Sequence, residues 1–172
     1  GNDVDDGGAI YAYYINLLLD HVIIKDNYAN ESGPAMYVER SNLIIRNSLI
    51  YNNEEIDDDV GGLYLVLTNG LIENSTIVDN ETTSILLYNS KLRLANSIIE
   101  INDDTNVINN YGGELYLAHT NIVSQPGMEI SGPDADTYLY GTAHYLEGVT
   151  NYPIEFIDDY QLLSREMETA ST

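Results

Sequence analysis

The sequence predicts an all-β fold, a right-handed parallel β-helix of about five to six rungs with an irregular C-terminal cap. Three observations lead to this fold. Two short segments recur with one shared spacing, and apolar residues alternate with a period of two inside each segment. One of the segments ends, in each repeat, at a polar residue that is mostly Asn. The apolar residues before residue 125 show no helical period, so we expect no helices there.

The two segments keep the same steps of 26, 27, 22 and 23 residues. One has its first apolar position at Ile10, Met36, Leu63, Ile85 and Ile108. The other begins at Leu17, Leu43, Gly70, Leu92 and Leu115. Because side chains alternate across a strand, we expect alternate residues of each segment to face one shared core. Stacked rungs at about 4.8 Å then pair every strand with its neighbours.

The fifth position of the second segment forms a polar column of His21, Asn47, Asn74, Asn96 and His119. Asn tolerates a left-handed backbone, and its amide can hydrogen-bond to the residues above and below. We therefore expect this column to be a structural ladder at a corner. The two His residues are interpreted as substitutes for a ladder Asn, because the intervening rungs prevent them from sharing a metal.

We expect one β-helix domain over residues 1–172, with regular rungs over about 8–125 and an irregular last rung and cap over about 126–172. Tyr138–Tyr140 and Tyr145–Leu146 are expected to form that last rung. No cap is visible before the first rung, and an uncovered strand edge invites pairing. The first rung is therefore expected to meet further rungs of a longer chain or another subunit.

The chain has 6 Lys+Arg against 28 Asp+Glu, a formal net charge of -22. This charge disfavours nucleic acid and anionic lipid as partners. No apolar run approaches the ~18 residues of a membrane span, so membrane insertion is not expected. The absence of Cys excludes disulfides and thiolate metal sites.

Acidic residues concentrate along one predicted edge, at Asp57, Asp58, Asp59, Asp103 and Asp104. Carboxylates from stacked loops could bind calcium, the one cofactor that the sequence suggests. The favoured alternative is a solvated acidic edge that hinders aggregation, and adaptation to high salt would also explain the charge.

The outward positions of the first segment carry tyrosines, with Tyr11, Tyr37 and Tyr64 in one column and Tyr13, Tyr88 and Tyr111 beside it. Aromatic rows can stack on sugars, and contiguous apolar patches mark contact surfaces. We therefore expect a glycan or protein partner at this face. The alternative is that tyrosine simply suits strands.

Several motifs resemble a known family. Gly7–Tyr11 and the Asn-Ser-x-Ile-x-x-Asn of residues 47–53, 74–80 and 96–102 resemble the GGAI and FxxN repeats of polymorphic outer-membrane-protein-type β-helices. Tyr152–Leu162 is similar to the tail of such domains. Ile replaces Phe in the repeat, and the usual Ser-Pro-x-Ile-Asp is missing after Leu163. The resemblance implies a cell-surface or extracellular protein but no particular activity, because the family spans adhesins, passengers and lyases.

Catalysis is not expected. Lyases of this shape resemble one another in having an Arg or Lys base near calcium-binding carboxylates, whereas Arg46 and Arg93 fall in different columns here. Hydrolases need converging carboxyl groups, and adjacent pairs such as Asp158–Asp159 point in opposite directions in an extended chain. The sequence favours a secreted or cell-surface structural and binding module of adhesin type. A polysaccharide-active enzyme domain and a subunit of a filament or larger passenger are the alternatives.

Overall fold

The computed structural model describes residues 5–55, 61–80, 83–100 and 107–123, together with the backbone of two strands at 136–140 and 144–146. The described residues form nineteen strands and no helix. Accordingly, they include no helix with the length and hydrophobicity needed to cross a membrane.

The strands follow one another in rungs. The first rung contains β1 (Ile10–Tyr13), β2 (Asn16–Asp20), β3 (Ile23–Lys25) and β4 (Tyr28–Ala29). The second contains β5 (Met36–Glu39), β6 (Asn42–Arg46), β7 (Leu49–Tyr51) and β8 (Glu54–Glu55). The third contains β9 (Leu63–Val66), β10 (Asn69–Glu73) and β11 (Thr76–Val78).

The later rungs repeat this order. The fourth contains β12 (Ile85–Tyr88), β13 (Lys91–Ala95) and β14 (Ile98–Glu100). The fifth contains β15 (Ile108–Tyr111), β16 (Glu114–Ala118) and β17 (Asn121–Val123). The last contains β18 (Asp136–Tyr140) and β19 (His144–Leu146), which continue two of the sheets where one more rung was expected. Tyr152–Leu162, assigned to the cap, lies outside the described residues.

Equivalent strands of successive rungs pair in parallel and build three sheets. The first sheet has the order β1-β5-β9-β12-β15, the second β2-β6-β10-β13-β16-β18, and the third β3-β7-β11-β14-β17-β19. Strands β4 and β8 form a small fourth sheet. The register pairs Leu17 with Leu43 and Leu43 with Gly70, as the unequal spacing of the repeat predicts. The predicted parallel β-helix is confirmed.

The core consists of the inward residues of the three sheets. Met36, Ile45, Ile50 and their equivalents in the third and fourth rungs are fully buried, and each such side chain contributes about 1.5–3 kcal/mol. Gly70 occupies one inward position because a Cβ there would lie 2.8 Å from the Cδ1 atom of Leu92. The leucine of the fourth rung therefore fills the space that a side chain would occupy in the third.

Three corners join the sheets, and each contains residues in the left-handed region. The first corner has Tyr14, Arg40, Leu67 and Asn89 at φ 54, 48, 49 and 47°, followed by Gly112 at 69°. The second corner is the predicted polar column, His21, Asn47, Asn74, Asn96 and His119, at φ 56, 52, 50, 48 and 49°. The third has Asp26, Asn52 and Asp79 at φ 54, 54 and 50°. The chain therefore turns in the same way at each level of a corner.

The residue after each left-handed position turns inward and connects the rungs. Ser48 illustrates this, since its hydroxyl donates to the carbonyl of Arg46 at 2.7 Å and accepts the Val22 N–H at 3.2 Å. Ser75 and Ser97 continue the same column. Ser41, Thr68 and Ser90 do the same at the first corner. These hydroxyls satisfy backbone groups that the corners remove from the sheets.

The ladder of stacked amides lies at the third corner and not in the column where we expected it. The amide of Asn27 donates to the Oδ1 of Asn53 at 2.9 Å, and the amide of Asn53 donates to that of Asn80 at 2.8 Å. In the expected column the side chains are exposed, and the Asn47 amide donates to Asp20 at 3.0 Å. The physical reason is that a left-handed corner residue projects its side chain outward, whereas the next residue points inward.

The core is less completely covered at the first rung. Ile10, Leu17 and Leu19 are only partly buried, whereas Met36, Leu43 and Ile45, their equivalents in the second rung, are fully buried. The preceding residues run alongside the second rung, because the Asp5 carbonyl accepts the Glu31 N–H at 2.8 Å and the Gly7 N–H donates to Ser32 at 2.9 Å. Among the described residues, none therefore covers the floor of the first rung.

Candidate functional site

The candidate site is the outward side of the first sheet. We call it the Tyr-rich face and define it by Tyr11, Tyr13, Tyr37, Tyr64, Tyr88 and Tyr111. Strand alternation explains it, since Ala12 faces the core while its neighbours Tyr11 and Tyr13 are exposed. The register places Tyr11, Tyr37 and Tyr64 in one column, as expected from the sequence, and pairs Tyr88 with Tyr111 in the next.

The tyrosine rings of the first column pack on one another along the axis of the solenoid. The rings of Tyr11 and Tyr37 are parallel within 4° at a centroid distance of 5.2 Å, and Tyr64 meets Tyr37 at 5.2 Å and 81°. Both geometries are favourable for aromatic pairs. The Tyr37 ring therefore lies between the rings of Tyr11 and Tyr64, so less of its ring surface is accessible to a ligand. The four most accessible side chains of the face are Tyr11, Tyr88, Tyr13 and Tyr111, which are 57%, 47%, 45% and 38% exposed.

The phenol groups of Tyr37 and Tyr64 are held in their neutral form. Burial, with smaller effects from the Glu39 and Asp6 carboxylates and the adjacent tyrosines, raises the pKa of Tyr37 to about 12. Burial also raises the pKa of Tyr64, with a contribution from the same two carboxylates. These phenols can therefore donate hydrogen bonds to a ligand, and two negative charges act at the centre of the face.

A cationic and aromatic cluster borders the face at the first corner. Arg40 Nη1 contacts the Tyr13 hydroxyl at 3.3 Å and Glu39 Oε1 at 3.2 Å. Its guanidinium also lies 5.6 Å from the centre of the Tyr14 ring. Arg40 and Tyr14 were not predicted from the sequence as site residues, although each directly follows a strand of the Tyr-rich face.

A second cluster, not predicted from the sequence, lies on the outward side of the second sheet. Lys91 Nζ binds Glu114 Oε2 at 2.7 Å, and the Tyr116 hydroxyl donates to the same carboxylate. Lys91 and Arg93 lie over the Tyr116 ring at 5.0 and 5.6 Å. The signal was available, because Lys91 and Arg93 alternate on one strand in register with Glu114 and Tyr116.

The predicted calcium ligands Asp57, Asp58, Asp59, Asp103 and Asp104 lie outside the described residues. Within the described part of the chain, no group of three or more His, Asp or Glu residues could hold a metal ion. Calcium binding therefore stays a prediction for the undescribed acidic loops.

The second corner provides an ion-pair cluster instead of a metal site. The Asp20 carboxylate accepts Arg46 Nη2 at 2.9 Å, and His21 Nδ1 approaches it at 2.6 Å. A hydrogen bond from Asn47, followed by those from Arg46 and His21, lowers the pKa of Asp20 against the opposing effect of desolvation. The Asp20 carboxylate therefore contacts His21 in its own rung and Arg46 and Asn47 in the next rung.

Comparison with known families identifies the fold independently. The family model described as a right handed beta helix region matches residues 2–141. Neither the curated proteins nor the solved structures contain a match to this sequence. The matched region includes every described strand up to β18, with the Tyr-rich face at its centre. The chain therefore belongs to the right-handed β-helix family.

Proposed function

We propose that the protein is a secreted or cell-surface binding module of adhesin type that contacts its partner through the Tyr-rich face and does no catalysis. The supporting observation is the register of the first sheet, which assembles six tyrosines on one surface. Tyrosine combines apolar contact area with a hydrogen-bonding hydroxyl, and it is enriched where proteins meet partners. A link to polymorphic outer-membrane-protein-type proteins is part of the same proposal.

Both glycans and proteins suit such a face. The exposed rings of Tyr11, Tyr88 and Tyr111 could stack on sugars, while the packed rings of Tyr37 and Tyr64 offer hydroxyls and a rigid apolar surface. β-Helix proteins occur both as surface proteins and as polysaccharide-active enzymes. The test must therefore measure binding and turnover together.

The experiment applies the purified protein to an array of neutral and acidic glycans and to intact cells, and measures product release from each soluble polysaccharide. The triple variant Tyr11→Ala, Tyr88→Ala, Tyr111→Ala is compared with a control triple that changes Tyr28, Tyr51 and Tyr116 on other surfaces. We expect the wild-type protein and the control triple to bind, and the first triple variant to lose binding. We expect no protein to release products from a polysaccharide. Product release would support the enzyme alternative, and binding that both triples preserve would contradict the role of the face.

A second candidate function is assembly into a filament or larger passenger through the first rung. The supporting observation is the partial exposure of Ile10, Leu17 and Leu19 on the floor of that rung. Strand edges above an apolar floor pair readily with another chain. Light scattering over a range of concentrations tests this, with Leu17→Asp as the disrupting variant and Leu18→Asp, on the outward side of the same strand, as the control. A monomer at every concentration would contradict it.

A further inference from the structure

Most of the described basic residues of this protein contact the face of a tyrosine ring. Five Lys and Arg residues are described, and four of them lie over a tyrosine ring: Lys25 over Tyr51 at 5.5 Å, Arg40 over Tyr14 at 5.6 Å, and Lys91 and Arg93 over Tyr116 at 5.0 and 5.6 Å. The fifth, Arg46, pairs with Asp20. A tyrosine ring attracts a cation through its negative face, more strongly when the pair is desolvated.

The column of Tyr11, Tyr37 and Tyr64 also offers aromatic rings, but no described Lys or Arg lies over any of the three. Asp6 precedes the left-handed turn at Gly7 that leads into β1, and its charge acts on the phenols of both Tyr37 and Tyr64. No described Lys or Arg forms an ion pair with Asp6, whereas Glu39 already binds Arg40. The turn at Gly7 packs against the start of β1, since a Cβ on Gly7 would lie 3.0 Å from the Tyr11 Cα, and the Tyr11 side chain beside it is 57% exposed.

The overall charge points to the same ligand chemistry. With a formal net charge of -22, the protein attracts cationic groups and repels acidic polymers over the range of the Debye length. A neutral sugar could donate hydroxyl hydrogen bonds to Asp6 but has no charge to pair with it, and an acidic sugar would be repelled by it. A guanidinium can bind the carboxylate and stack flat on a tyrosine ring at the same time.

We propose that Asp6, Tyr11, Tyr37 and Tyr64 form a docking site for an arginine-containing basic segment of a partner protein. This proposal rests on the proposed function, because it names the chemistry of the partner that the Tyr-rich face binds. An arginine side chain of the partner stacks against Tyr11, its guanidinium binds the Asp6 carboxylate, and neighbouring basic residues are held by the acidic surface.

The test titrates the full chain with a blocked hexa-arginine peptide, which lacks aromatic residues, and measures binding by calorimetry at low and physiological salt. Asp6→Asn and Tyr11→Leu should each weaken binding about threefold to tenfold, the scale of a cation–π or ion-pair contact. The matched controls are Glu73→Gln, which removes one carboxylate from the second sheet, and Tyr28→Leu, which removes one tyrosine from the fourth. Both should change the affinity less than about twofold, because neither residue is in the site.

Two results would overturn the docking site. Equal losses from Glu73→Gln and Asp6→Asn would show that net charge alone binds the peptide. Equal affinity for a glucosamine hexamer would show that any cationic polymer suffices. If hexa-arginine fails to bind while the tyrosine triple variant still abolishes binding to glycans or cells, the basic segment is wrong but the proposed function stands. If no binding depends on these tyrosines, both fail.

Discussion

The amide ladder at the third corner should be a major source of stability, and Asn53→Leu tests it. The Asn53 side chain is fully buried and makes five hydrogen bonds. Its Oδ1 accepts the Asn27 backbone and side-chain N–H groups, and its amide donates to Ile24, Tyr51 and Asn80. Leucine has the same branched arrangement of heavy atoms but can make none of these bonds. At about 0.5–1.5 kcal/mol for each bond, and less for those that share a hydrogen, we expect a loss of about 3 kcal/mol.

The assay is equilibrium denaturation by urea, read by far-UV circular dichroism. The midpoint should fall while the slope stays unchanged, because the variant alters stability and not the surface exposed on unfolding. Asn74→Leu is the matched control. Asn74 is exposed and has a left-handed backbone, so the main effect of leucine there is backbone strain. That strain should cost only about 1–2 kcal/mol. If Asn53→Leu cost no more than Asn74→Leu, the buried ladder would not be the stabilising column.

Three further predictions follow from other features. Leu67→Asn should stabilise the protein by about 0.5–1 kcal/mol, because Leu67 has φ 49° and Asn accepts this conformation more readily; an unchanged or lower midpoint in urea would contradict the strain argument. Because burial raises the pKa of Tyr37 to about 12, its contribution to stability is complete below pH 10 and is lost as the pH rises toward 12, and Tyr37→Phe should remove this part of the alkaline loss in a pH series of melting curves. Calcium at about millimolar concentration should raise the melting temperature, and chelator should reverse this, if the loops of Asp57–Asp59 and Asp103–Asp104 bind it; identical curves would leave these loops as a solvated edge.

The stacking register was predictable because it depends only on spacing and alternation. Unequal steps shared by two segments admit one alignment, and an apolar residue at every second position identifies the inward side. The same reasoning predicted which tyrosines share the Tyr-rich face. These properties are set by the backbone alone, so a single sequence contains them.

The corners were not predictable from alternation, because a left-handed residue breaks it. Asn74 and Ser75 show the difficulty, since Asn-Ser recurs in the sequence but only the structure shows that the serine points inward. The packing of the Tyr11, Tyr37 and Tyr64 rings depends on side-chain torsions that no spacing encodes. The proposed role of Asp6 could not be predicted either, because alternation within the strands says nothing of the left-handed turn at Gly7 that leads into β1.

The packing of Leu92 against Gly70 means that the third and fourth rungs differ from the other rungs in how they stack. Solenoid proteins are often regarded as stacks of interchangeable units, yet here the leucine of the fourth rung occupies space that the third rung leaves empty. A chimera that replaced the third rung with a copy of the second would bring a leucine to position 70, with its Cβ 2.8 Å from the Leu92 Cδ1. Duplicated or exchanged rungs would therefore require the Leu92 side chain to move, so the third and fourth rungs are adapted to each other as a pair.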